Sequence, residues 1–209
     1  MEYVGQVNDL AKKLAPLGMT YTYHNHSHEF LPNGSGQIIH EELQKRTSLL
    51  FEIDTYWAYN AGVDPIALLT KLSDRVRLIH IKDTYAVEMY PMLDGTDVYI
   101  GAIKDAKFGH QIFFGLGGIF IEVLKDVQSA LAPITAAEAK EMLTHLRGYK
   151  ILQGVRGQEA VNIDMYADQI ARVSALVQAA PEIAEMDLNP LLGNPRYVTA
   201  VDARIRLEK

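Results

Sequence analysis

Cysteine is absent from all 209 residues. That excludes a disulfide framework, a thiolate metal centre and a cysteine nucleophile, so any metal must be held by histidine, carboxylate or amide oxygen. Tryptophan occurs once, at Trp57. No apolar run approaches the roughly 20 residues of a membrane span. The opening Met1-Glu2-Tyr3-Val4 lacks the basic leader and apolar stretch of a signal peptide. A cytoplasmic protein with no membrane partner is expected. Basic clusters are missing too, and a formal charge of -6 gives no general attraction to nucleic acid, so no nucleic-acid partner is expected. What is present is 48% hydrophobic residues, enough to pack one ordinary domain or two small ones.

The chain changes its pattern within Ile79 to Met89. Before it, strands alternate with helices; after it come hairpins and strands punctuated by glycine, the pattern of a different fold. Two partial domains are therefore expected, residues 1–83 and 84–209.

In the first, Val4, Val7, Leu10, Ala11 and Leu14 keep helical spacing until Pro16 and Gly18. Strands are expected at about Met19 to His26, Ser48 to Thr55 and Val76 to Lys82, with helices around Glu41 to Lys45 and from Asp64-Pro65 to Leu72. The strand ends are polar: His24 and His26, then Asp54, then His80 and Lys82. Parallel strands joined by helices bring their C-terminal ends to one edge, so His26, Asp54 and His80 converge. Imidazole with carboxylate suits Mn, Co or Zn. The plainer readings are a solvated histidine loop and an Asp54 that caps a turn or helix before Trp57.

The segments YHNHSHEF, FEIDTYWAYNAGVDP and RLIHIKD occur in the order found in the middle of the sugar phosphate isomerase/epimerase family, the xylose-isomerase-like TIM barrels. Residues from about 10 to 83 resemble that family. The resemblance implies metal-ligand positions at Asp54 and His80, with His26 near the first-ligand position, where many members carry glutamate. It also implies eight strands and a further glutamate ligand on a later strand. Three parallel strands do not close a barrel, so a complete isomerase is not expected.

In the second part, a short strand at Ala86 to Tyr90 and the Asp94-Gly95 turn lead into Asp97 to Lys104, which alternates as an antiparallel partner would. Gln111 to Phe114 precede Gly115, Gly117 and Gly118. Such glycines either let backbone amides approach a phosphate or simply permit a tight strand connection. Thr135 and Glu138 form a capping box for a helix expected to reach Arg147 and stop at Gly148. A further helix starts near Asn162 and carries Tyr166, Ile170, Val173, Leu176 and Val177 on one face.

Within Ala184 to Leu191, Glu185, Asp187 and Asn189 share a strand face. The chain turns at Gly193 to Arg196 and returns over Val198 to Leu207. A hairpin symmetric about that turn sets Asn189 opposite Asp202, an amide oxygen and a carboxylate that suit Mg. The alternative is an ordinary polar outward face.

The runs VEMY, GTDVYIGAIKDAKFGHQIFFGLGGIFIEVLKDV, APITAAEAKEMLTHLRGYKIL, AEMDLNPLL and AVDARIRL are similar to the ATP-grasp domain of ADP-forming acyl-CoA synthetases, over about residues 85–209. The resemblance implies an adenine hinge at Val87, Glu88 and Met89, cofactor contacts at Gly117 and Gly118, and Mg ligands at Asn189 and Asp202. It also implies Asp187 near a phosphohistidine and Glu122 at the phosphate end, while Asp97 stands where glutamate is usual. A CoA-binding domain or subunit supplied in trans is the implied partner.

The expected fold class is α/β, a partial parallel (β/α) barrel-like segment joined to an ATP-grasp-like α+β lobe. The expected function is an ATP/ADP- and Mg-binding ATP-grasp remnant of an ADP-forming acyl-CoA synthetase, an acid-CoA ligase using phosphoryl transfer. The alternatives are a metal-dependent isomerase/epimerase-like fragment and a folded chimera without turnover. An unpaired parallel edge also invites a second copy, so a homo-oligomer is among the expected partners.

Overall fold

The computed structural model describes residues 2–82, 94–118, 121 and 124–208. The chain divides into two compact units, Met1–Ile81 and Lys82–Lys209. The short strand expected at Ala86 to Tyr90 lies outside the described residues.

In the first unit, α1 (Glu2–Leu14) runs into a 3-10 turn, Ala15–Leu17, which Gly18 closes at φ 69°. Strand β1 is only Thr22–His24, because a second 3-10 turn, Ser27–Phe30, follows almost at once. Then come α2 (Ile39–Arg46), β2 (Leu50–Asp54), α3 (Thr55–Asn60), α4 (Pro65–Lys71) and β3 (Val76–Ile81). The three strands pair in parallel, in the order β1-β2-β3. Helix α3 was expected only as a possible cap, and it forms because Asp54 Oδ1 accepts the Trp57 N–H at 3.0 Å. Asp64 caps α4 through Ile66 N–H at 2.9 Å. The core joins Val7, Phe30, Leu43, Leu49, Phe51, Ile53, Leu68 and Val76. His40 sits inside it, 4.4 Å from the Phe30 ring and 5.1 Å from the Phe51 ring.

In the second unit, β4 (Thr96–Asp105), β5 (Gly109–Leu116), β6 (Val127–Leu131), β7 (Ile183–Gly193), β8 (Val198–Ala200) and β9 (Ala203–Leu207) are antiparallel, in the order β9-β7-β4-β5-β6 with β8 also on β7. One face is apolar. Val98, Ile100, Ala102, Ile112, Phe114 and Leu116 are all fully buried there, and α7 (Ile163–Ala179) packs over β4 and β5. Of its expected apolar stripe, Leu176 is 43% exposed and the rest is buried.

Helix α5 (Ala136–Leu143) begins at the Thr135–Glu138 capping box but ends four residues before Arg147, the expected end; α6 is the single turn Tyr149–Leu152. The stop is imposed from outside. The buried Asp126 carboxylate accepts the N–H groups of Arg147 at 3.0 Å and Gly148 at 2.6 Å, which draws that backbone out of the helix.

Tyr166, fully buried on α7, ties the helix to the sheet. Its hydroxyl accepts the Gly115 N–H at 2.9 Å and faces the carbonyls of Tyr99 at 2.6 Å and Gly115 at 2.8 Å. Burial raises its pKa, so it stays a neutral donor. Tyr166→Phe keeps the ring but orphans these backbone groups, and a cost of about 2 kcal/mol is expected. Urea unfolding followed by far-UV circular dichroism tests this; an unchanged midpoint would contradict it.

Candidate functional site

In the first unit, the carboxyl ends of the strands carry a cluster of titratable groups. His24 closes β1, Asp54 closes β2, and His80 lies next to the end of β3. His24 Nε2 is 3.1 Å from His80 Nδ1, and both nitrogens are 3.3 Å from Asp54 Oδ2. Asp54 is fully buried. The buried Asn25 fixes its backbone: Asn25 Nδ2 donates to the Asp54 carbonyl, and Asp54 N–H donates to Asn25 Oδ1, each at 3.0 Å.

The histidine that reaches Asp54 and His80 is His24, where His26 was expected. The early end of β1 places His26 at the cap of the 3-10 turn. Its N–H donates to Glu29 Oε2 at 2.7 Å, and its ring lies 5.7 Å from the Trp57 ring. Asp54 and His80 stand together as expected. Glu52, not singled out from the sequence, offers an oxygen within 4.8 Å of nitrogens of His24 and His80. The alternation in Phe51-Glu52-Ile53-Asp54 was the available signal.

In the second unit, the solvent-side face of β4, β7 and β9 carries the expected oxygens. Asp187 pairs with Gly101 on one side and Arg204 on the other. Leu188 pairs with Ala203 and Leu191 with Ala200, so Asn189 and Asp202 both lie in the stretch between those pairs, where the register of β7 shifts against β4 and the return strand breaks between β8 and β9. The return was expected as one strand. Asn189 Oδ1 accepts the Gly118 N–H at 3.0 Å, which joins the glycine run to β7. Gly118, at φ 56°, leaves no room for a side chain beside the Asp97 carboxylate.

Burial pushes the Asp97 carboxyl above its usual range. Burial also raises Asp187, aided by Glu185 and Asp202 and opposed by Arg204. Tyr99 stretches over Gly101 and is pushed up to about 12 by burial, with Asp187 and Glu185 adding to the effect. All donors here are oxygens, the set a hard cation such as Mg takes. Val87, Glu88, Met89 and Glu122 lie outside the described residues.

Residues 66–207 match the family model of the ATP-grasp domain. The chain therefore belongs to the ATP-grasp family. The β subunit of ADP-forming acetate–CoA ligase I from Pyrococcus furiosus is 46% identical over 126 residues, 60% of this chain and 54% of that subunit. The β subunit of ligase II from the same organism is 44% identical over 130 residues, 60% of this chain and 55% of that subunit. The chain thus spans about half the length of these curated relatives.

Among solved structures, the dinucleotide-forming acetyl-coenzyme A synthetase 1 of Ca. Korarchaeum cryptofilum, in complex with coenzyme A and Mg-AMPPCP, is 40% identical. It matches with a TM-score of 0.53 over 56% of this chain and 55% of that one. A sugar phosphate isomerase/epimerase from Parabacteroides distasonis, 32% identical over 39% of this chain and 32% of its own, reaches a TM-score of only 0.35, which carries no argument for the fold. The second unit has the mixed α/β make-up of an ATP-grasp lobe; a barrel segment is not borne out for the first, which holds three parallel strands among the described residues.

Proposed function

We propose that the second unit binds a Mg-nucleotide, ADP or ATP, on the oxygen-lined face of β4, β7 and β9, as a lobe of an ADP-forming acid–CoA ligase. The observation that carries this reading is the Gly118 N–H bond to Asn189 Oδ1, because it joins the glycine run to β7 in the stretch across from which the return strand breaks at Asp202. A phosphate near Gly117 and Gly118 and a cation near Asn189 and Asp202 are thereby held as neighbours. Asp187 lies beside them on β7, its carboxyl raised above the usual range by burial, with Glu185 and Asp202 adding and Arg204 opposing. Phosphoryl transfer depends chiefly on such positioning. The resemblance to this family assigns the adenine hinge to Val87 to Met89 and the phosphate end to Glu122, all outside the described residues. Turnover in such a ligase also draws on a CoA-binding domain or subunit and a phosphohistidine.

Thermal unfolding with and without Mg-ADP tests the reading. A ligand that binds only the folded state at a hundredfold excess over Kd stabilises it by about 2.7 kcal/mol. The midpoint of the second unit is expected to rise with Mg-ADP, and Asp202→Ala to abolish most of that rise. An equal rise in the variant would overturn the ligand assignment; no rise in the wild type would overturn nucleotide binding.

A second reading concerns the first unit alone: a borderline divalent cation, Mn, Co or Zn, held at the strand ends. The spacing of His24 Nε2, His80 Nδ1 and Asp54 Oδ2, 3.1 to 3.3 Å, favours it.

A further inference from the structure

We propose that Glu52 is the fourth ligand of this cation site, so that three adjacent strands of the first unit form a complete site of two imidazoles and two carboxylates. The proposal rests on the second reading above. Strand β2 supplies both carboxylates because Glu52 and Asp54 are two residues apart and project from the same face, while Ile53 between them is fully buried in the core. The register does the rest: Glu52 pairs with His24 across β1, and Asp54 pairs with His80 across β3.

Ligand atoms bound at about 2.0 Å in a tetrahedron lie about 3.3 Å from one another. Three atoms already have that spacing, with His24 Nε2, His80 Nδ1 and Asp54 Oδ2 separated by 3.1 to 3.3 Å. A Glu52 oxygen lies within 4.8 Å of nitrogens of both histidines. Glutamate reaches further than aspartate by one methylene and Glu52 is only partly buried, so a rotation of its side chain brings its carboxylate to the fourth corner. Asp54 is held still for its part, since its Oδ1 accepts the Trp57 N–H and its backbone is clamped by Asn25, which leaves Oδ2 facing the histidines.

The donor set selects the ion. Two nitrogens and two oxygens at short spacing suit Zn or Co; Mg and Ca prefer six or more oxygens. Four ligands fill a tetrahedron, so the site is of the closed kind that fixes a fold rather than one with a vacant position for substrate.

Cobalt(II) titration of the chelator-treated full-length chain tests both levels. Visible absorption separates four-coordinate cobalt from six-coordinate cobalt, and the end point gives the stoichiometry. One cobalt per chain with a four-coordinate spectrum is expected. Glu52→Gln, nearly the same size, is expected to weaken binding by at least about tenfold and to lose the four-coordinate intensity, a ligand counting for no less than its outer-shell partner. His80→Ala should remove the site. Trp57 fluorescence shows whether each variant keeps the first unit folded. Wild-type affinity and spectrum in Glu52→Gln, with His80→Ala silent, would overturn Glu52 as ligand and leave the three-residue site. No cobalt bound by the wild type, or none lost in His80→Ala, would overturn the site itself.

Discussion

Between pH 6.5 and pH 4 the first unit is expected to lose about 3 kcal/mol of stability through one residue, His40. Its ring is fully buried between Phe30 and Phe51. Gln44 Nε2 donates to Nδ1 at 2.7 Å, which leaves the ring proton on Nε2, a buried atom without a hydrogen-bond partner. Burial, with the Lys71 and Arg75 charges adding and Glu29 opposing, lowers the pKa from 6.5 to about 4. The folded state therefore keeps His40 neutral where the unfolded chain has already taken up a proton. The contribution is fully present above pH 6.5 and is lost as the pH falls through 4.

At pH 4.5 about 2.5 kcal/mol should be gone. Urea unfolding followed by Trp57 fluorescence isolates the effect, because the only tryptophan lies in this unit. His40→Leu removes the titrating group and should flatten the pH dependence by that amount. An equally steep loss in the variant would assign acid sensitivity to the carboxylates instead.

His40 shows where the sequence was legible and where it was not. A histidine in an amphipathic helix carries no local sign of burial; that depends on Phe30 and Phe51, which arrive from other elements. The helix starts at Asp64, Thr135 and Asn162 were legible because each side chain bonds to its own chain two or three residues ahead. The end of α5 was not, because the carboxylate that stops it belongs to Asp126, far away in sequence. Strand β6 went unnoticed since Val127 to Leu131 is half-exposed and is defined by its ladder with β5 rather than by its own pattern.

At the candidate sites counting residues about one turn led to the expected facing of Asn189 and Asp202, and the pairs Leu188–Ala203 and Leu191–Ala200 bracket the stretch that holds both. The choice of His26 over His24 failed because β1 stops early, and a strand end misplaced by two residues moves the converging side chain with it. Glu52 needed only the alternation within β2, a signal that was present and unused.

Gly117→Ala is expected to cost the second unit about 3 kcal/mol, at the upper end of the penalty for inserting an atom into packed structure. The added Cβ would stand 2.5 Å from the Val98 carbonyl oxygen and 2.6 Å from its carbon, so a backbone would have to move. Val98 cannot give way easily: it is fully buried and paired with Leu116 on one side and Leu191 on the other. Gly117 cannot retreat either without losing its N–H bond to the Asp97 carbonyl at 2.9 Å.

The same displacement would draw Gly118 away from Asn189 and separate the glycine run from the Asp202 side of the face. Stability and Mg-ADP response should therefore fall together, with circular dichroism reporting the first and the ligand-induced shift of the midpoint the second. A variant that unfolds like wild type would refute the close approach of Gly117 to β4. One that loses stability yet keeps the full Mg-ADP shift would place the nucleotide elsewhere on the unit, because a site built on the Gly118–Asn189 bond cannot survive its removal unchanged.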